Sequence, residues 1–106
     1  MINLPVRHVL LLRLRQDACE EQISAMISAL RDLTAKIDGI LSFEHGVNNS
    51  HEGLRRGMTH LVMFTFASAE ARDAYLLHPE HGAVAARVTE LGIIEELMAF
   101  DYTPQP

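Results

Sequence analysis

Apolar patterns with the periods of strand and helix alternate in the order strand, helix, strand, strand, helix, strand, and this predicts an α+β domain. That order is the split βαβ arrangement of a ferredoxin-like protomer, a four-stranded antiparallel sheet with its helices on one face. Two further observations bear on it. The chain of 106 residues, 48% of them hydrophobic, is long enough for one domain with a real core and leaves no room for a second. The two strongest strand segments are apolar on both faces, although two helices cover only one.

The first strand is RHVLLLRLR, Arg7 to Arg15, with His8, Leu10, Leu12 and Leu14 on one face and Arg7, Val9, Leu11, Arg13 and Arg15 on the other. Asp17 with Glu20 three residues on forms a capping-box-like start to a helix. Its stripe is Ile23, Met26, Ile27, Leu30, Leu33 and Ile37, and it closes at Gly39. Cys19 falls in the first turn, where a small buried side chain serves as well as a reactive one, so a structural role is expected. A strand follows at 40–47 (ILSFEHGV), then a polar loop at 48–57 in which Arg55 and Arg56 read as solvated, then a strong strand at 58–67 (MTHLVMFTFA).

Ser68 is placed to cap the next helix, with an apolar face of Ala71, Ala74 and Tyr75. The stretch YLLHPEH, residues 75 to 81, then breaks it. Pro79 belongs at the first position of a new helix, so one helix ends near His78, which faces the carbonyls freed there, and another begins. Val84, Val88 and Leu91 form the stripe of the second helix, with His81 on the same side and therefore pointing inward. A last strand covers about 93–102 (IIEELMAFDY), and the tail TPQP extends no ladder.

Composition excludes several classes. Nine basic against fourteen acidic residues give a net charge of -5, the wrong sign for a nucleic-acid binder. The longest apolar run, Val9 to Leu12, is far short of the roughly 20 residues of a membrane span, and the N-terminus lacks a signal-peptide pattern, so a cytoplasmic location is expected. The six histidines are scattered over elements that do not converge, and HPEH lacks the same-face spacing and further ligands of a zinc site; no metal is expected. Val9, Leu11, Leu61 and Met63, on the sheet face opposite the helices, call for a second subunit.

The segments RHVLLLRLR, ILSFEHG, THLVMFTFASAEARDAYLLHPEH and AFDY together resemble the Dabb family, the stress-responsive A/B barrel domains. The resemblance spans nearly the whole chain, and its HPEH joint and FDY end are specific. It implies a protomer whose sheet packs on a partner's sheet to form a dimeric α/β barrel. One plant member closes a linear polyketide by an aldol reaction without a cofactor, using a tyrosine and a histidine in a segment similar to YLLHPEH; the matching positions are Tyr75 and His81. By that likeness His81 is a general base and Tyr75 orients it or donates to a carbonyl oxygen. The expected substrate-lining residues are His8, Leu10, Ile27, Leu30, His60, Val62 and Val84, with no cofactor.

His8 and His60 each begin the helix-facing side of a strand. Six residues of offset place them roughly 20 Å apart, so one site does not hold both, and His8 is the better candidate. His45 and His51 read as solvated. Met26, Ile27 and Leu30 stand where the plant enzyme lines its channel with aromatics, which leaves the substrate open. Each candidate also has a plain reading, a core histidine or tyrosine bonded to the backbone. Two function classes follow: a cofactor-independent cyclase or lyase acting on a polyketide-like carbonyl compound, and a non-catalytic stress or assembly protein of the same fold. A small oxygenase or haem-handling barrel is weakened by the absence of Trp.

Overall fold

The computed structural model describes residues 3–106. The elements run β1 (Val6–Leu14), α1 (Glu20–Lys36), β2 (Ile40–Val47), β3 (His60–Phe66), α2 (Ala69–Leu77), α3 (Pro79–Leu91) and β4 (Ile94–Tyr102). The strands form one antiparallel sheet in the order β2-β3-β1-β4, and the fold is ferredoxin-like α+β, as expected. The register pairs His8 with Phe64 and Asp101, and Leu12 with His60 and Leu97, so every second residue of β1 faces the helices. Alternation is therefore visible in burial: Val6, His8, Leu12 and Leu14 are buried, and Leu10 is partly covered.

The core lies between this face and the helices. Leu12, Met26, Leu33, Val62, Phe64, Phe66, Tyr75 and Ile93 are its largest fully buried side chains. Removing each from water contributes about 1.5–3 kcal/mol, which is what sets the helices on the sheet. The other face pairs Val9 with Met63 and Phe100, and Leu11 with Leu61 and Met98. Phe100 is 60% exposed and Met98 45%, so β4 extends the apolar strip expected from β1 and β3 alone.

Several local expectations are corrected. The N-cap of α1 is Cys19, not Asp17, and Gln22 rather than Glu20 reaches back, its side-chain oxygen accepting from the Cys19 N–H at 3.0 Å. Asp17 is occupied elsewhere: Arg15 donates to it at 2.9 Å inside a turn closed by the Ala18 N–H on the Arg15 carbonyl. Cys19 is exposed instead of buried, because a cap residue precedes the face that packs. The helix ends at Lys36, with Ile37 as C-cap, and the connection turns through Gly39 at φ 93°. A Cβ there would meet the Ala71 Cβ at 2.7 Å, so α2 packs directly on this turn. Ala74 is exposed and contributes nothing to the inward face of α2, which rests on Ala71 and Tyr75. Among the described residues, no helix is long and apolar enough to cross a membrane.

Candidate active site

The break at YLLHPEH is present. Ser68 caps α2 by accepting from the Ala71 N–H at 3.1 Å, and Tyr75 lies in the helix's last turn, 1% exposed. His78 is extended, with φ -72° and ψ 137°, as a residue before proline must be. Its backbone N–H donates to the Tyr75 carbonyl at 3.1 Å. Its ring was expected to meet freed carbonyls; instead Nδ1 accepts from the Glu80 N–H at 3.0 Å and caps α3. One residue thus ends α2 and begins α3, with Pro79 at the first helical position.

Without the break, residues six apart would lie about 120° from each other around a helix. With it, the Tyr75 and His81 rings come to 4.6 Å between centroids, inclined at 52°. Both line a cavity of about 280 Å³ between the helices and the sheet. His8 lies at the same end, 5.9 Å from the Tyr75 ring, and Leu10, Met26, Leu30, Val88 and Leu97 are among the apolar side chains that line the rest.

The other expected lining residues are elsewhere. Val62 and Val84 are packed into the core, 0% and 3% exposed, and reach no cavity. Ile27 and His60 open on a separate cleft between α1 and the β2–β3 end. His60 pairs with Leu12, four residues along β1 from His8, so the spacing along the strand is about 13 Å rather than 20 Å and the two histidines still serve different places.

Sequence reasoning missed two members. The Asp101 carboxylate accepts from His8 Nδ1 at 2.6 Å, and Arg72 donates to its other oxygen at 2.8 Å. A carboxylate partner places the His8 proton on Nδ1 and leaves Nε2 as the ring's remaining polar atom. The signal was an acidic residue at a helix-facing position of an apolar strand, opposite His8 across the sheet.

Burial sets the protonation of the pair. The Tyr75 phenol is pushed up to about 12 by desolvation alone, so it is a neutral donor at ordinary pH. The His81 imidazole is held below the usual histidine range, first by burial and further by His8, against an opposing hydrogen bond with the Leu76 backbone. It is a free base at neutral pH. Larger clefts, about 530 Å³ beside Arg13 and Arg15 and about 510 Å³ between α1 and α3, are surface depressions without such a pair. Among the described residues, no three His, Cys, Asp or Glu side chains converge as metal ligands.

Residues 6–104 match the Dabb model, the Stress responsive A/B Barrel Domain. The chain belongs to this family. The stress-response A/B barrel domain-containing protein HS1 of Arabidopsis thaliana is 34% identical over 100 residues, 94% of this chain and 90% of that protein. Olivetolic acid cyclase of Cannabis sativa is 28% identical over 100 residues, 94% of this chain and 97% of the cyclase. Among solved structures, the hydroxynitrile lyase from Passiflora edulis shares the Dabb chain's fold with a TM-score of 0.86 at 19% identity, covering 99% of this chain and 96% of the lyase. A dimeric ferredoxin-like protein of unknown function from Jannaschia superposes with a TM-score of 0.78 at 20% identity, covering 94% of this chain and 99% of that one.

Proposed function

We propose that this Dabb chain is a homodimeric, cofactor-independent cyclase or lyase that acts on a polyketide-like carbonyl compound in the cavity beside Tyr75 and His81. The observation that carries the reading is the 4.6 Å approach of those rings at the polar end of an otherwise apolar cavity. His81 removes a proton from a carbon flanked by two carbonyls, and the electron pair moves into one carbonyl to give an enolate. Tyr75 donates a hydrogen bond to the enolate oxygen. The enolate carbon then attacks a distal carbonyl of the same chain, and the new alkoxide takes its proton back from the imidazolium. A lyase runs the same transfers in the direction that breaks the carbon–carbon bond. His8, fixed by Asp101, offers a second polar contact to the substrate.

Similarity to olivetolic acid cyclase supports the chemistry, and the fold shared with a hydroxynitrile lyase agrees with it. The homodimer rests on the apolar strip of Val9, Leu11, Leu61, Met63, Met98 and Phe100, which the helices leave bare.

The test is turnover of a linear 3,5-dioxo ester by wild type and by His81→Ala. Loss of about 10² or more in kcat/KM, with the far-UV spectrum unchanged, supports the reading. Equal turnover by both proteins sinks it and leaves the assembly role.

A further inference from the structure

The cleft that holds His60 has a chemistry of its own. Its volume is about 250 Å³, and α1 contributes Ser24, Ile27, Ser28 and Arg31 to it, one helical stripe, while His45 comes from β2 and His60 from β3. These charged and titratable lining groups are all cations or potential cations; no carboxylate is among them. Three arginines pair with acids, Arg13 with Glu95 and Glu96, Arg15 with Asp17, and Arg72 with Asp73 and Asp101. Arg31 forms no such pair among the described residues.

Arg31 is nevertheless held in place. Its guanidinium donates to His45 Nε2 at 3.1 Å and lies 5.6 Å from the centre of the Phe43 ring. An arginine offers no acceptor, so the His45 nitrogen accepts in this bond. His60 is fixed on its other side, with Nδ1 2.8 Å from the Thr59 hydroxyl, which leaves Nε2 for a ligand. A cation fixed by an aromatic face and a neutral acceptor, beside serine hydroxyls and an isoleucine wall, suits an oxyanion with an apolar body.

We propose that this cleft binds a small organic carboxylate, its charge on Arg31 and His60 and its hydrocarbon against Ile27. The site is independent of the Tyr75 and His81 cavity. His60 is held below the usual histidine range by burial and by His45. A bound anion favours its protonated form, so by linkage the carboxylate binds more tightly as pH falls. The charged or titratable groups facing His60 are Arg31 and His45 in this cleft and Glu44 in the depression adjoining it.

Histidine ring resonances followed by NMR during titration with hexanoate, and separately with inorganic phosphate, test the proposal. Hexanoate is expected to shift His60 and His45 saturably, with a Kd that tightens between about pH 7.5 and about pH 5.5. Arg31→Gln, at an exposed position, should weaken it by about tenfold, the worth of one charged hydrogen bond. His81→Ala should leave that Kd unchanged. An unchanged Kd in Arg31→Gln, a response confined to His8 and His81, or phosphate binding as tightly as hexanoate would each overturn the proposal.

Discussion

The proposed mechanism needs a neutral His81, and burial disfavours its protonated form. Its folded pKa lies below its unfolded value, so the unfolded chain binds more protons and acid destabilises the fold. The sign is that stability falls as pH drops below about 6.5, and His60 adds in the same direction. Thermal unfolding followed from neutral to mildly acidic pH should show this fall, and it should be smaller in His81→Ala. For turnover the base is active when neutral: kcat/KM should climb with pH through a midpoint below the ordinary histidine value to a plateau, with no decline from Tyr75 until strongly alkaline conditions. Tyr75→Phe should reduce turnover on the order of 10², and combining it with His81→Ala should add little, because the two groups act as one unit. These residues were legible because a proline announced where the helix breaks. Asp101 was not, since its meaning depends on which residue of β1 it faces, and that register is a property of the whole sheet.

At the scale of an element, the joint depends on His78 serving two helices. His78→Ala removes the Glu80 cap and should cost about 1 kcal/mol in urea unfolding, with reduced turnover because the angle between Tyr75 and His81 is no longer fixed. Ser68→Ala should cost a similar ~1 kcal/mol without that loss, since the cap it removes lies at the far end of α2. The contrast in activity, at matched stability, is the measurement that matters. Helix stripes and strand alternation were readable in the sequence because burial imposes them directly. The start of α1 was not, because two acceptable caps compete within six residues and an ion pair with Arg15 removes Asp17 from the contest. His45 is an exposed edge residue as read from sequence, and its bond with Arg31 was not legible because Arg31 approaches from another element.

For the whole molecule, the uncovered sheet face is the decisive surface. Leu61→Asp places a charge opposite Leu11 in the middle of the apolar strip, and in a dimer that charge would be buried without a partner. Sedimentation at micromolar concentration should show wild type as a dimer and the variant as a monomer or unfolded chain; a folded wild-type monomer would refute the interface. This face was legible as two strands apolar on both sides, while the share contributed by Met98 and Phe100 appeared only with the pairing of β4 to β1.

That pairing bears on how the molecule is made. The contact of His8 with Asp101 spans 93 residues, so β1 waits for β4 before one of its edges is satisfied. Closing so long a loop is entropically slow. During translation, and in any chain interrupted before β4, the leucine-rich edge of β1 therefore stands unpaired, a template for other chains to join. Handling by chaperones, and yield on expression, should be governed by that interval.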